Sequence, residues 1–91
     1  MLVYHITHRR NLKSVKMHGL QPCMATGKRQ VVWVVRGDKI AWAVAHVARH
    51  HGWTVSTLRV LPVPTVTTTL RRTCWAGVYT CSHVLTPGAP L

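Results

Sequence analysis

Apolar and β-branched residues cluster in five short segments that predict β-strands. The first segment, residues 2–7, reads LVYHIT, and the second, residues 31–35, is the apolar run VVWVV, which is typical of a strand covered on both faces. Residues 54–63 alternate as a third strand would, and the prolines near its end place that strand at a sheet edge. Two further β-prone stretches are residues 65–70 and residues 77–81.

A first helix is predicted over residues 9–18, where Leu12 and Val15 fall at helical spacing between basic residues. Gly19 is placed to end this helix in a left-handed conformation, so that Leu20 can pack back on the last turn. The helix is therefore short, about two to three turns.

A second helix is predicted over residues 39–51. Asp38 stands just before it, where a carboxylate can act as the N-cap, and Gly52 is placed to end it. The N-cap would give the only acid of the chain a structural role. The apolar face of this helix is formed by five residues at helical spacing: Ile40, Ala43, Val44, Val47 and Ala48.

The predicted order of elements is β-α-β-α-β-β-β, which indicates an α+β fold. We expect a single small domain over residues 1–91, with a mixed or antiparallel sheet and two helices. Residues 21–30 and 71–76 are predicted loops. Residues 82–91 contain two prolines and a glycine and are predicted to form an irregular tail.

The charge of the chain is one-sided. Twelve lysines and arginines stand against one acid, there is no glutamate, and the formal net charge is +11. Within this chain, that composition excludes paired-carboxylate glycosidases, EF-hands and a magnesium site built from carboxylates. Because 47% of residues are hydrophobic, we expect a folded chain. The excess of base predicts an anionic partner, namely RNA, DNA, a dinucleotide or an acidic protein; the alternative is a compositional bias without a partner.

Cysteine content and hydropathy bear on the compartment. Cys23, Cys74 and Cys81 cannot all pair, and reduced thiols in a core are the favoured interpretation. No apolar run approaches the roughly 18 residues of a membrane span. His5 and His8 come too early for the apolar region of a signal peptide. We therefore expect a cytoplasmic protein that does not bind membranes.

His5 and Thr7 form the first candidate site. They lie on one face of the first strand, because side chains alternate along a strand. A polar pair on an otherwise apolar strand indicates a site, and the alternative is a half-exposed strand whose polar residues face solvent.

Metal binding is not predicted. His46 and His50 have the i, i+4 spacing of metal ligands, but the glutamate of a hydrolytic zinc site is absent, and a solvated basic helix end with His51 is favoured. Cys74, Cys81 and His83 fit no standard zinc spacing. A cysteine nucleophile lacks a placed base.

Basic residues and tryptophans together suggest nucleic-acid binding. Arginine suits bidentate contacts to phosphate, and Trp53 and Trp75, in or near loops, can stack on bases, with core packing as the alternative. No nucleic-acid-binding motif is present. The candidate nucleic-acid-binding residues are Lys13, Lys28, Arg29, Arg71 and Arg72, with Arg9 and Arg10 beside them.

Three spaced motifs lie near the start of the chain: YHIT at residues 4–7, NLKSV at residues 11–15 and GLQP at residues 19–22. This pattern resembles the first strand and helix of the ADP-ribosyltransferase superfamily, and is most similar to DNA-targeting DarT-type toxins and to small ADP-ribosyltransferase-like domains. RNA 2′-phosphotransferases share the histidine and the Gly-Leu step. The VVWVV strand, LPVP at residues 61–64 and GVY at residues 77–79 follow in the same order. The resemblance implies a minimal ADP-ribosyltransferase-like fold with NAD as substrate or ligand.

The resemblance also implies roles for individual residues. His5 would grip the ribose of NAD with Thr7 as a helper, and Arg36, Arg9 and Arg10 would face the pyrophosphate. The implied catalytic set is His5, Thr7 and Arg36, and the implied cofactor-binding set is Tyr4, His5, Thr7, Arg9 and Arg10.

One departure from the superfamily bears on catalysis. Its transferases generally use a glutamate from a late strand, which this chain lacks. The 2′-phosphotransferase branch needs no such glutamate and acts on an RNA phosphate. A non-catalytic domain of the same fold fits equally, so whether the protein is an enzyme stays open. The first hypothesis is a NAD-linked transferase acting on nucleic acid; the second is a non-enzymatic binder of nucleic acid or another anionic partner, such as an acidic protein.

Overall fold

A computed structural model describes residues 1–22 and 31–91, and Cys23, Lys28 and Arg29 lie outside the described residues. In the described part, strands and helices follow the predicted order and form a small α+β domain, which confirms the predicted class. The strands are β1 (Leu2–His8), β2 (Val32–Val35), β3 (Leu58–Pro64), β4 (Arg71–Arg72) and β5 (Val78–Cys81), and the α-helices are α1 (Leu12–His18) and α2 (Ile40–His51).

The five strands form one antiparallel sheet in the order β3-β1-β2-β5-β4. β1 pairs with β3 along its whole length, and β2 pairs with β5 likewise. In contrast, β1 and β2 share one paired position, Tyr4 opposite Val35. The sheet therefore consists of two well-paired parts with a weak junction in the middle. β3 lies at an edge, as its prolines predict.

Each face of the sheet carries an apolar core, and we name the faces after the helices that cover them. The α1 face holds Val3, Val34, Leu61 and Val63, packed against α1 residues such as Leu12. The core of the α2 face lies under α2 and Trp53; its buried residues are Ile6, Val35, Ala43, Leu58 and Val78. In the central strand β2, Val32 and Val34 lie in the core of the α1 face and Val35 in that of the α2 face, whereas Trp33 is 47% exposed, so the predicted cover on both faces is incomplete.

The start of α2 differs from the prediction. Lys39 is the N-cap residue and makes no side-chain cap, so the prediction of an Asp38 N-cap is wrong. The Asp38 carboxylate instead accepts hydrogen bonds from Nε and Nη2 of Arg36, at 3.1 and 3.0 Å. The bidentate pair engages both carboxylate oxygens with the Arg36 guanidinium, which holds the carboxylate away from the start of the helix. The predicted end of α2 at Gly52 is confirmed by its left-handed conformation.

Two strand predictions are wrong in the threonine-rich segments. Residues 55–57 and 67–69 form 3-10 turns, and the third strand therefore begins only at Leu58. In each turn a threonine hydroxyl donates to the carbonyl three residues earlier, Thr57 to Thr54 at 2.6 Å and Thr69 to Val66 at 2.8 Å. Such local bonds compete with strand pairing. The short strand β4 lies instead inside a predicted loop.

Gly19 connects α1 to the tail of the chain. Its φ of 75° is positive as predicted, but its ψ of −175° is extended rather than left-handed helical. The extended backbone brings Leu20 beside Leu85, and the two residues exchange backbone hydrogen bonds of 2.7 and 3.0 Å. Both leucine side chains are buried. The tail is otherwise irregular, as predicted, and closes the core of the α1 face.

Replacing Gly19 with alanine is expected to lower the free energy of unfolding by about 2–3 kcal/mol. The added Cβ would lie 2.9 Å from the Leu85 carbonyl oxygen, at a positive φ. Gly52→Ala is the matched control, because its φ is also positive but nothing lies within 4 Å of the added Cβ. We expect the control to lose about 1 kcal/mol. Urea denaturation measures both losses, and equal losses would contradict the close approach at Gly19.

Candidate functional site

His5 bridges the weak junction between β1 and β2. Its Nδ1 lies 2.7 Å from the backbone carbonyl oxygen of Trp33. Because a carbonyl can only accept, Nδ1 carries the proton, and Nε2 of the neutral ring is the acceptor nitrogen. The imidazole thus fixes β2 to β1 where the strand ladder does not.

Burial lowers the pKa of His5, and the hydrogen bond to the Trp33 carbonyl opposes this effect without cancelling it. The ring is therefore neutral at pH 7. A neutral imidazole with a fixed tautomer can accept a hydrogen bond from a hydroxyl group, which is the chemistry that the resemblance assigns to this position.

Thr7 lies on the α1 face with His5, as the strand alternation predicts. Its side chain is buried, and its Oγ1 accepts a hydrogen bond of 3.3 Å from Nδ2 of Asn11. This bond ties the end of β1 to the start of α1. Thr7 therefore has a structural role in the fold, whatever else it binds.

The other residues implied by the resemblance do not gather around His5. Tyr4 packs against the core of the α2 face, opposite His5 and Thr7. The Arg36 guanidinium follows β2 and binds Asp38. Arg10 places its guanidinium carbon 5.2 Å from the centre of the Trp53 ring, and Arg9 is exposed in the turn after β1. The structure thus places His5 and Thr7 on one face and the remaining residues elsewhere.

A continuous row of aromatic rings runs along the outer surface of α2, and we call it the aromatic track. Neighbouring ring centres lie between 4.1 and 6.3 Å apart. The track contains all four tryptophans and four of the seven histidines. In order along the surface, its members are Trp33, Trp75, Trp42, His46, His50, His51, Trp53 and His8.

Helix geometry builds the middle of the track. Trp42, His46 and His50 are spaced i, i+4 and i+8, so they line up on one side of α2. Their ring planes lie within 15° of parallel, with centres 5.1 and 6.1 Å apart. Trp75, from the turn between β4 and β5, packs on Trp42 at 5.9 Å. At the end of the helix, His51 stacks on Trp53 at 4.1 Å.

Strand register builds a pocket beside the track, which we call the arginine pocket. Thr80 pairs with Arg71 on one side and with Trp33 on the other, and directly opposed residues share a face. The pocket is open, about 550 Å³ in volume, and Trp33, Trp75, Arg71 and Arg72 are among its lining residues. By strand register Arg71 shares the face of Thr80 and Trp33, whereas Arg72 is paired with Tyr79. The arginines are exposed, and each of the two tryptophans is 47% exposed.

The electrostatics of this surface favour anions. The chain has a single acid, and its carboxylate is bound by Arg36. Partial burial, and then the charges of His50 and Arg10, lower the pKa of His51. Desolvation and the charges of neighbouring arginines lower the pKa of His8. The free protein therefore resists adding further positive charge here, and a bound anion would relieve that repulsion.

Trp33 and Trp42 are members of the track that the sequence analysis did not predict. The i, i+4, i+8 spacing of Trp42 with two histidines is a signal that would have found it. Trp33 carries no such signal, because it stands inside an apolar run. Trp75 is exposed, as stacking on bases requires, whereas Trp53 packs partly against the core of the α2 face. Lys13 is exposed on α1, over the other face of the sheet.

Among the residues that the structure describes, no group of three or more His, Cys, Asp or Glu side chains is placed to hold a metal ion. Cys81 is buried, and its Sγ accepts a hydrogen bond of 3.4 Å from the His83 backbone N–H. Cys74 is exposed in the lining of the arginine pocket. His46 and His50 lie on the exposed side of α2, consistent with a solvated basic helix end.

Comparison of the chain with known protein families, with curated proteins and with solved structures finds no match. None of the helices in residues 1–22 and 31–91 is long and apolar enough to cross a bilayer. The chemistry of the site is therefore inferred from its own residues.

Acidification from about pH 7.5 to about pH 5.5 is expected to lower the Tm. The folded pKa of His5 is lowered, so the unfolded chain takes up the proton first, and stability is lost as the pH falls through the unfolded value near 6.5. His5→Asn keeps a donor for the Trp33 carbonyl but cannot titrate, so its Tm should depend less on pH. Circular dichroism melts measure the profile, with His18→Asn on the exposed side of α1 as control. A His5→Asn profile parallel to that of the wild type would contradict this role.

Proposed function

We propose that the protein binds single-stranded nucleic acid through the arginine pocket and the aromatic track. One observation carries this proposal: two exposed tryptophans, Trp33 and Trp75, line the same pocket as Arg71 and Arg72. Bases stack on exposed aromatic rings, and guanidinium groups pair with phosphates. This function requires no carboxylate, so it suits a chain without glutamate.

Ring spacing favours unpaired bases over a duplex. Consecutive stacked bases are about 3.4 Å apart along a strand. Along α2 the ring centres are separated by 5.1 and 6.1 Å, so bases that meet successive rings must belong to a stretched strand. In a duplex the base faces are covered by their neighbours, and the tryptophans would have nothing to stack on.

Charge supports a nucleic acid over an acidic protein as the ligand. Cations stand at both ends of the track and beside its middle: Arg71 and Arg72 at the pocket, Arg49 on α2, and Arg10 over Trp53. The core of a protein–protein interface is usually depleted of charge. A row of aromatic rings flanked by cations instead matches a ligand that carries both bases and phosphates. We place this function in the cytoplasm, where the exposed Cys74 thiol would stay reduced.

Trp75→Ala is expected to weaken binding of a labelled single-stranded oligonucleotide by about 1–3 kcal/mol, because it removes one stacking ring. Arg71→Ala should also weaken binding and lower the slope of log K against log salt by about 0.7, because one phosphate contact is lost. Fluorescence anisotropy over a salt series, with DNA and RNA oligonucleotides, measures both effects.

Two exposed residues of α1 serve as matched controls for these variants. Met17→Ala removes a large exposed apolar side chain, and Lys16→Ala removes a cation, both away from the track. Both should retain nearly the wild-type affinity, and a duplex of the same sequence should bind more weakly. Equal affinity for the duplex, or wild-type affinity of Trp75→Ala, would refute the proposal.

A second candidate function is NAD-linked transfer to nucleic acid, and we propose it on a different observation. The neutral His5 ring has a fixed tautomer at the junction of β1 and β2, on the same face as Thr7. These two residues fit the contacts to the ribose of NAD that the resemblance implies, with His5 as ligand and Thr7 as helper. The implied pyrophosphate cations fit less well, because Arg36 is bound to Asp38 and Arg10 lies over Trp53.

If His5 binds NAD, saturating NAD should raise the Tm of the wild type, since a ligand at 100 times its Kd stabilises by about 2.7 kcal/mol. His5→Ala should abolish this shift, and His18→Ala should retain it. No shift at millimolar NAD would eliminate this candidate and leave nucleic-acid binding by the track intact.

A further inference from the structure

The histidines of the aromatic track form a chemical feature of their own. His46, His50 and His51 are exposed and follow one another, with ring centres 6.1 and 4.9 Å apart. They occupy the stretch between the three clustered tryptophans at the pocket and Trp53 at the far end. Among the histidines of the aromatic track, the structure describes a ring hydrogen bond for His8, whose Nδ1 accepts from the Arg10 backbone N–H at 3.1 Å.

We propose that His46, His50 and His51 bind phosphate groups of the nucleic acid as imidazolium ions, so that binding takes up protons. This inference rests on the proposed function and assigns different parts of the ligand to different residues of the site. The exposed tryptophans at the pocket hold bases, and the histidines hold the backbone that continues along α2. The ligand class is the phosphodiester backbone, common to RNA and DNA.

The charges around the row determine when these histidines gain protons. The charged side chains around it in the described structure are basic, and the other titratable groups on this face of the sheet are the Cys74 thiol and the Tyr4 phenol. The turn before α2 and α2 itself contribute Lys39 and Arg49. β1, the turn after it and β3 contribute His8, Arg9, Arg10 and Arg59. β4 and the turn that follows contribute Arg71, Arg72 and Cys74.

Partial burial, and then the charges of His50 and Arg10, lower the pKa of His51 in the free protein. Asp38 cannot compensate, because it lies before the start of α2 and binds Arg36. A bound phosphate supplies the missing negative charge and favours the imidazolium form. The C-terminal end of the α2 dipole, where His50 and His51 lie, favours a cation as well.

Linkage converts this protonation into a pH dependence of affinity. If binding takes up protons, the affinity must rise as the pH falls, by about tenfold per pH unit for each proton. We expect an uptake of about one proton near pH 6.5, where free imidazoles are half-protonated. Binding at about pH 8 should persist, because tryptophan and arginine contacts do not titrate there.

Isothermal titration calorimetry of the full chain with a single-stranded oligonucleotide tests the inference. Two non-phosphate buffers of different ionisation enthalpy, both at about pH 6.5, give the number of protons taken up. The triple variant H46Q, H50Q and H51Q should lose most of the uptake while retaining Trp75-dependent binding at about pH 8. The double variant H18Q and H83Q, changed at exposed histidines outside the track, should keep the full uptake.

Nuclear magnetic resonance of the wild type gives a second readout that does not depend on a folded variant. The C2–H signals of His46, His50 and His51 should titrate at higher pH when the oligonucleotide is bound. Binding without proton uptake, or with uptake unchanged in a folded triple variant, would overturn this inference and leave the proposed function standing. Absence of binding to any single-stranded DNA or RNA would overturn both.

Discussion

One helix can cover only part of one face of a five-stranded sheet. An α-helix with its side chains is about 10–12 Å wide, whereas five strands spaced about 4.8 Å apart span about 19 Å between the outer strands. α2 packs on β1 and β3 and reaches β2 and β5 through Ala43, which shares a core with Val35 and Val78, so helix cover is least over Trp33, over Thr80 and over β4. Trp33, Trp42 and Trp75 fill the gap by packing on one another, which leaves 40–47% of their surface in solvent. The aromatic track is a direct result of this incomplete cover.

The scarcity of acid gives that uncovered surface its chemistry. With one acidic side chain in the sequence, and that one bound to Arg36, the described cations along the track have no acidic side chain left to pair with. Desolvation, and then the charges of neighbouring basic residues, lower the pKa values of His8 and His51. A polyanion would therefore neutralise the arginines and allow the histidines to protonate. The exposed indoles favour a ligand with flat aromatic groups. A single-stranded nucleic acid supplies both the negative charge and the unpaired bases.

The helices and their glycine ends are predictable from the sequence because periodicity and capping are local. The threonine segments are not, because a hydroxyl bond to the carbonyl three residues back competes with a strand that local propensity favours. The prediction of an Asp38 N-cap is wrong for the same kind of reason, because the neighbouring Arg36 binds the carboxylate. The exposure of Trp33 cannot be predicted from the sequence, because it depends on which strands α2 covers. His5 and Thr7 share a face as predicted, whereas the bond from His5 to Trp33 depends on the long-range pairing of strands.

Trp33 connects the two candidate functions, because its carbonyl accepts from His5 while its indole belongs to the aromatic track. The most direct measurement is a proton–nitrogen spectrum of the four tryptophan side-chain N–H groups during titration with a short single-stranded oligonucleotide. The structure predicts that the signals of Trp33, Trp42 and Trp75 shift together, while the backbone amides of α1 stay in place. Shifts confined to α1, or tryptophan signals that do not move at saturating ligand, would contradict a binding surface on the part of the sheet that α2 leaves uncovered.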